Sequence, residues 1–413
     1  MKKKNSLQSQ YSTLHSDPFP RTVRLSFEFG ENSGENSSLT ELLFKKVEWS
    51  VEGETRGLRY GENPHQEAGL YKLVNGNITL AGTEYIGPQK GLVTEAELLQ
   101  GGKHPGKINI TDVDSALGIL KHLPDSPATV IVKHNNPCGV SQKDSLAESY
   151  RAAFDADPIA AFGGAVVCNR EMDRETAGEI ASRYTEVVAA PEYAEGALEI
   201  LQKRKNIRIF RVPRMDRLSE YLFHPYVDIT SLMDGGLILQ KSYETKIQGV
   251  KDFLPAEAHH KGKDYRCNRD PSKKELEDLL FGWRVETGIT SNSVVYVKDR
   301  TTLGIGTGEQ DRVGVARIAA EKAYRNYQAR TAGGSSQNTP ESFTQTGKPD
   351  ILKGAVMISD GFFPFRDGVE VGLKEGVSAV VQPGGSVRDW EVIEACNEYS
   401  AAMVFTGERS FRH

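Results

Sequence analysis

The sequence predicts an α/β protein with a mainly parallel sheet covered on both faces, and three observations predict it. Short apolar runs recur at residues 128–132, 164–168, 187–190, 293–297, 302–306, 355–359, 379–381 and 402–405. Stretches with helical spacing alternate with these runs, and Gly, Pro, Asn and Asp punctuate the joins. Strands that alternate with helices in this way build open sheets with helices on both sides. The order of elements before residue 210 is similar to the order after residue 273, which predicts a duplicated domain although no residue-level repeat is visible.

Residues 1–45 read as a polar N-terminal arm, with Gly, Asn, Ser and Glu concentrated at 30–38 and an alternating edge strand at 23–27. That composition favours a flexible loop over packed structure. Residues 46–210 form the first expected subdomain. Val113, Leu117, Ile119 and Leu120 set a helix at 112–122, and the strand at 128–132 ends on Lys133 and His134. Helices follow at 146–154, 171–184 and 193–203, with strands at 164–168 and 187–190 between them. Residues 211–275 form a polar connecting segment, with a strand at 236–240 and a loop rich in Lys, His and Asp at 258–270. Residues 276–413 form the second subdomain, entered by a helix at 273–285. Its helix at 311–325 carries Val315, Ile318, Ala319 and Ala323 on one stripe. A Gly/Ser/Gln/Thr-rich loop insert occupies 332–350, and helices at 369–375 and 387–398 separate the last three strands.

Composition narrows the function. The chain of 413 residues is 38% hydrophobic and 26% charged, enough for a sizeable core and a soluble surface. A net charge of −5 argues against nucleic acid as the main partner, although a few Arg and Lys suffice for one small anion. The four cysteines (Cys138, Cys168, Cys267 and Cys396) form no CxxC pair, so reduced thiols and a cytoplasmic protein are expected. The N-terminal Met1-Lys2-Lys3-Lys4 is followed by no apolar stretch, and no run of ~18 apolar residues predicts a membrane span.

Several segments carry chemistry. Lys133-His134-Asn135-Asn136-Pro137-Cys138-Gly139 follows a buried strand, where open α/β sheets place ligands. A Lys-His dipeptide is ordinarily an incidental polar loop, but at a strand end it supplies a fixed charge beside a group that moves protons near neutral pH. Both side chains reach one site only if the chain turns, and Asn136-Pro137 with Gly139 is the expected turn. The PCxxC pair of zinc deaminases lacks its second thiolate here, because position 141 is Ser, so zinc is not expected. Arg59-Tyr60-Gly61-Glu62-Asn63-Pro64-His65 concentrates polar groups in a loop, which favours binding over packing. Gly304-Ile305-Gly306-Thr307-Gly308 joins a strand to a helix with Arg312 in its first turn, the ingredients of an anion site. Three aromatic rings and Asp367 lie in Asp360-Gly361-Phe362-Phe363-Pro364-Phe365-Arg366-Asp367, where rings can sandwich a flat heterocycle and a carboxylate can accept from its amino groups. Some of those Phe residues belong to the core instead. The terminal Arg409-Ser410-Phe411-Arg412-His413 is a basic tail, either frayed or reaching a phosphate.

Taken together, LRYGENPHQ, VKHNNPCG, DPIAAFGG, TSNSVVY, GIGTGEQDRV, SDGFFPFRDGV, QPGGSVRD and ERSFRH resemble, in order, the transformylase domain of the bifunctional purine biosynthesis (PurH) family. The resemblance runs from about residue 58 to residue 413. It implies two cytidine-deaminase-like α/β/α subdomains in tandem without zinc, and a homodimer with shared active sites. The family usually carries an IMP cyclohydrolase domain in front of this one. Here a short polar arm precedes the match, so the second activity is expected to be absent, which leaves room for a separate IMP cyclohydrolase as partner.

The implied reaction moves the formyl group of 10-formyltetrahydrofolate, a co-substrate, to the amine of AICAR, giving FAICAR. The resemblance assigns catalysis to Lys133, His134 and Asn292. It assigns the nucleotide, mainly its phosphate, to Arg59, Tyr60, Lys205 and Arg409, and the base to Arg312, Phe362 and Phe411, with Asn109 also on the substrate side. Ile159, Gly163, Val313, Asp367 and Ser386 would line the folate side, and Gly368 stands where the family can carry Asn. No catalytic metal is required, and a structural monovalent cation is compatible with the resemblance. Two alternatives remain open at this stage: a non-catalytic nucleotide-binding regulator, and a bifunctional enzyme with residual cyclohydrolase activity.

Overall fold

The computed structural model describes residues 19–29, 38–51, 53–76, 78–80, 83–84, 90–331 and 349–413. The 30–37 part of the expected flexible loop and the 332–348 part of the expected insert lie outside the described residues, as do residues 1–18. The expected edge strand is present as Thr22–Phe29, paired antiparallel with Ser38–Lys46. The described residues divide into two compact units, one from Met1–Asp114 and Asn169–Glu244, the other from Ser115–Cys168 and Thr245–His413.

This division does not follow the boundaries expected near residues 210 and 275, because sheet pairing recruits an early segment into the C-terminal unit. Strand Asn136–Gln142 meets strand Thr301–Gly306 at Ser141 and Thr301. The Ser141 and Thr301 hydroxyls lie 2.8 Å apart, and the Val140 N–H donates to Thr302 Oγ1 at 3.0 Å.

In the second unit the strands run in the order Leu254–Pro255, Ala402–Phe405, Ala379–Gln382, Val356–Ser359, Val294–Lys298, Thr301–Gly306, Asn136–Gln142, Ala128–Lys133, Ala165–Cys168. Only the pairings among Val356–Ser359, Ala379–Gln382 and Ala402–Phe405 are parallel. The centre is antiparallel and built of two hairpins, Ala128–Lys133 with Asn136–Gln142 and Val294–Lys298 with Thr301–Gly306. The expectation of a mainly parallel sheet is therefore corrected. A fully buried strand is apolar throughout whichever way its neighbour runs, so the runs fixed the strands but not their direction.

Helices do cover both faces of this sheet. Val294, Tyr296 and Met357 join a core with Val315, Ala319 and Ala323 of helix Arg312–Thr331 and Val369 and Leu373 of helix Arg366–Lys374. The alternate residues Val297 and Ile358 face Gly282 of helix Lys273–Glu286 instead. The period of two along each strand sends successive side chains to opposite helical layers. Two strand glycines let helices approach closely. A Cβ on Gly139 would lie 1.9 Å from the Ala153 carbonyl oxygen, and one on Gly304 would lie 2.1 Å from that of Ala319.

In the first unit, Val187–Ala190 pairs parallel with Arg208–Arg211, which pairs antiparallel with Glu97–Gln100. Helices Arg174–Ala181 and Ala197–Gln202 accompany these strands. The polar segment after residue 211 folds into a hairpin, Val227–Ser231 with Leu237–Lys241. Among the described residues, no helix is long and apolar enough to cross a membrane.

The close strand–helix contacts make a testable claim. Gly139→Ala and Gly304→Ala are each expected to cost more than ~2 kcal/mol in urea unfolding, because a methyl group enters occupied space. Gly118→Ala, at a helix position with nothing within 4 Å of the added Cβ, is expected to gain ~0.5–1 kcal/mol. Equal midpoints for Gly139→Ala and wild type would disprove the packing argument.

Candidate active site

The Lys133-His134 pair sits at a hairpin tip. Lys133 is the last residue of its strand and pairs with Asn136, so His134 and Asn135 alone reverse the chain. Both take left-handed backbone angles, φ 55° and φ 62°. A type I′ two-residue hairpin loop has positive φ at both positions, which Asn tolerates well and His less well. The expected turn at Asn136-Pro137 and Gly139 is thus displaced: those residues lie in strand Asn136–Gln142, and Pro137 is accommodated where the register shifts between Pro137 and Gly139. A bulge is a place where a sheet tolerates proline.

The tip presents His134 to solvent, while Lys133 is half-buried and donates from Nζ to the Phe162 carbonyl at 2.8 Å. Phe162 follows the short helix Pro158–Ala161, capped by Asp157, whose carboxylate accepts from the Ala160 N–H at 3.0 Å. Ile159 and Phe162 are exposed there, and Gly163 turns the chain at φ 75°. An apolar surface therefore lies beside the Lys133 ammonium.

Asn136 ties this tip to the segment that carries Asn292. Its Oδ1 accepts from the Thr290 N–H at 2.9 Å, and the Thr307 hydroxyl lies 3.1 Å from the same oxygen. Asn292 itself is held on both sides of its amide. Its Nδ2 donates to the Glu309 carbonyl at 2.9 Å, and its Oδ1 accepts from Arg312 Nη2 at 2.7 Å. Arg312 is buried, and its Nη1 also reaches the Ser293 carbonyl, the Ser359 hydroxyl and Asp360 Oδ1. Arg312 thus orients Asn292.

The expected anion site at this helix start is corrected. Asp311 occupies the helix N-terminus with its own carboxylate, which accepts from the Gly314 N–H at 2.6 Å. A carboxylate satisfies those N–H groups as a bound anion would. Gly304 and Gly306 serve packing, since a Cβ on Gly306 would lie 2.3 Å from the Val315 carbonyl oxygen. Val313 follows Arg312, half-buried.

The C-terminal tail is pinned rather than frayed. Ser291 and Arg412 exchange two hydrogen bonds, 2.9 Å from the Ser291 N–H to the Arg412 carbonyl and 3.1 Å from the Arg412 N–H to Ser291 Oγ. The Ser410 N–H donates to the Asp360 carbonyl at 3.0 Å. Ser410 points inward, and Arg409 and Phe411 are exposed, with the Arg409 guanidinium 4.6 Å from the centre of the Phe411 ring. Gly361 lies between two of these groups, because a Cβ there would approach Arg312 Nη2 and the Phe411 ring within 2.5 and 2.9 Å.

Of the three rings near Asp360, Phe363 is core and Phe362 and Phe365 are exposed. Asp367 stands exposed in the first turn of helix Arg366–Lys374. The neighbouring Gly368 has no room for a side chain, with Phe363 2.8 Å from its would-be Cβ. Gln382 ties this loop to the one with Ser386 through a 2.8 Å bond from the Phe363 N–H to its Oε1. The Ser386 N–H is held by Asp389 at 3.0 Å.

Beneath Arg312 lies a group that sequence reading missed. Glu286 is fully buried and accepts from the Ser293 hydroxyl. Burial, and then the negative charge of Asp360, push its carboxyl well above the usual range. In the sequence Glu286 is one of two acidic residues, with Asp278, on the buried stripe of its helix, and no local pattern marks it further.

The first unit holds the remaining expected residues. A cavity of about 870 Å³ is lined by Arg56, Arg59, Lys103, His104 and Lys205 among others. Arg59 is buried, donates from Nη1 to the Lys103 carbonyl at 2.9 Å, and lies over the Tyr60 ring at 4.4 Å. Its Nη2 donates to the Tyr60 hydroxyl at 2.5 Å. Asn109 caps the next helix, its Oδ1 accepting from the Gly106 N–H at 3.0 Å. Glu54, paired with Arg56, is the one acidic residue among those lining the cavity.

With this geometry in place, comparisons with known proteins give a consistent picture. A family described as AICARFT/IMPCHase bienzyme matches residues 27–322. The bifunctional purine biosynthesis protein PurH of Magnetococcus marinus is 40% identical over 388 residues, covering 93% of this chain and 63% of that protein. The protein of the same description from Aquifex aeolicus is 40% identical over 360 residues, covering 86% and 59%. That from Caldicellulosiruptor saccharolyticus is 38% identical over 358 residues, covering 86% and 59%. The chain thus spans roughly three-fifths of the length of these relatives.

Proposed function

This chain belongs to the AICARFT/IMPCHase bienzyme family, and from that premise we propose that it is an AICAR formyltransferase that moves the formyl group of 10-formyltetrahydrofolate to the AICAR amine. The observation that carries the reading is the hairpin tip, where a solvent-facing imidazole and an anchored ammonium are tied through Asn136 to the segment bearing Asn292. The AICAR amine is conjugated with its ring and is a poor nucleophile. It must lose a proton as it attacks, while the formyl oxygen gains negative charge. His134 accepts the proton, a role worth ~10²–10⁴ in rate, and the tetrahydrofolate nitrogen leaves with a proton as its bond to the formyl carbon breaks. Lys133 and Asn292 stabilise the oxyanion with the protons not spent on Phe162 and Glu309. By the family resemblance, Arg59, Tyr60, Lys205 and Arg409 serve the phosphate and Arg312, Phe362 and Phe411 the base, with Asn109 also on the substrate side. Ile159 and Gly163 beside Lys133, with Val313, Asp367 and Ser386, receive the folate.

The fold reading extends to a tandem repeat. Helix Lys107–Leu120, hairpin, helix Leu146–Ala156, strand Ala165–Cys168 and two further helix–strand pairs are matched in order by Lys273–Glu286 through Ala402–Phe405. Both hairpins turn on two left-handed residues, His134-Asn135 and Asp299-Arg300, which supports a duplicated, cytidine-deaminase-like plan.

A homodimer in the cytoplasm completes the reading. The hairpin Val227–Ser231 with Leu237–Lys241 exposes Ile229, Met233, Leu237, Ile238 and Leu239, with Phe223 and Tyr226 next to it. An isolated apolar hairpin is marginal in water, and a second copy of the chain is the occupant that would cover it.

A monovalent cation of structural role fits this chain as well. Glu286 Oε2, Asp360 Oδ2 and Ser410 Oγ are buried without a partner. Oxygen ligands that include carboxylates suit a hard cation, whose charge would also let Glu286 ionise.

Three measurements test these statements. Protein mixed with AICAR and 10-formyltetrahydrofolate is expected to release tetrahydrofolate and FAICAR, and His134→Ala is expected to lose ~10²–10⁴ in kcat with AICAR binding retained. Binding without turnover in the wild type would favour a nucleotide-binding regulator, and IMP formed without added cyclohydrolase would show a second activity. In light scattering, the wild type should run as a dimer and Leu237→Glu/Leu239→Glu as a monomer; an unchanged mass assigns the hairpin another role. Melting in potassium chloride should exceed melting in tetramethylammonium chloride at equal ionic strength by several degrees, of the size binding linkage gives, and identical curves would remove the cation.

A further inference from the structure

We infer that Arg208, which neither sequence motifs nor the family resemblance single out, is a positioning residue for the nucleotide phosphate, acting through Arg59 and Tyr60. The inference rests on the formyltransferase reading for the identity of the nucleotide. Arg208 opens strand Arg208–Arg211, level with Val187 of the neighbouring strand, and its backbone N–H donates to the Glu186 carbonyl at 2.9 Å. Arg208 is 4% exposed, and Arg59 is 7% exposed.

Two buried guanidiniums therefore share one region of the first unit with little to neutralise them. The acidic partner of Arg208 is Glu186, at 3.5 Å between Nη1 and Oε2, and that carboxylate is 39% exposed and also within 3.4 Å of the Tyr184 hydroxyl. Arg59 forms no ion pair among the described residues; its bonds go to the Lys103 carbonyl and the Tyr60 hydroxyl. The Nε atoms of both Arg59 and Arg208 are buried without a hydrogen-bond partner. Burial pulls the Arg208 guanidinium below its ordinary range; Glu186 opposes this, and the positive charge of Arg59 adds to it. Tyr60 and Tyr184 face the same group.

Burying like charges with an exposed counter-ion is unfavourable, and leaving a buried donor unpaired costs about 1–3 kcal/mol. A protein that needed only a stable core would place an apolar residue at 208. An arriving dianion changes the balance. A phosphate in the Arg59-lined cavity gains the field of both guanidiniums, and Arg208, fixed by Glu186, keeps Arg59 turned away from itself and toward the ligand. Charge-assisted contacts to phosphate are strong, and a cation behind them adds attraction without touching the ligand. Arg208 is not among the residues lining the cavity, so its action is indirect.

The test compares AICAR with its riboside, which lacks the phosphate. Arg208→Met is expected to raise the KM for AICAR ~10–100-fold while kcat stays within about threefold and the KM for folate is unchanged. The preference for AICAR over the riboside, as a ratio of kcat/KM, should fall by the same factor. Arg208→Lys should recover part of that ratio, and it serves alone if the Met variant does not fold. Equal losses on AICAR and riboside, or no loss on either, would overturn the proposal. Wild-type protein that fails to turn over AICAR would sink the formyltransferase reading instead. Calorimetric titration of both ligands into wild type and Arg208→Lys would then decide on Arg208 separately, an unchanged AICAR preference in the variant overturning it.

Discussion

The reversal of the chain between Lys133 and Asn136 is the constraint on which the proposed catalytic site depends. Strand pairing on both sides leaves two residues to make the turn, and both adopt positive φ. Those angles send the His134 ring out to solvent while Lys133, still in register, lies against Phe162. A freer loop would let the two side chains wander. The antiparallel ladder, with Gly139 pressed against helix Leu146–Ala156, removes that freedom, and Asn136 then carries the fixed geometry across to Thr290 and Thr307. Preorganisation of this kind is what makes an oxyanion donor effective, since the cost of ordering it is met in folding.

The second hairpin shows what the same turn does when it has no exposed task. Asp299 and Arg300 also adopt positive φ, but their N–H groups are both bound by Asp278, at 2.9 and 2.7 Å. Asp278 is buried, and its carboxyl is pushed up by burial although the two N–H groups favour its charged form. One tip is thus fastened by a side chain reaching up from a helix. The other keeps an imidazole exposed. Similar backbones serve architecture in one place and, in the proposed reading, chemistry in the other.

Much of this was legible in the sequence, and the failures have physical causes. The strands were visible as apolar runs because burial on two faces demands them. Their direction was not, because the demand is the same for parallel and antiparallel neighbours. Asn136-Pro137 read as a turn because both residues usually punctuate; only the register shift at Pro137 makes room for them in a strand. Arg312 was visible as a cation at a helix start. Its partners at 292, 293, 359 and 360 are brought to it by the sheet, and no local pattern announces them. Arg208 opens a strand, Arg208–Arg211, that no apolar run marks in the sequence.

Arg312 and Arg59 together separate two uses of a buried guanidinium. Arg312 is surrounded by acceptors, including an anion, and orients a neighbouring amide. A cation so satisfied is a structural pin, for which further ligands would have to compete. Arg59 has a carbonyl, a phenol and an unpaired Nε, faces a cavity, and feels the charge of a second buried guanidinium whose Nε is also unpaired. Such a group is held in position yet electrostatically incomplete. The difference is not in burial, which is nearly equal at 9% and 7% exposure, but in whether the protein supplies the counter-charge itself. Where it does, the residue builds the site; where it does not, the missing negative charge describes the ligand.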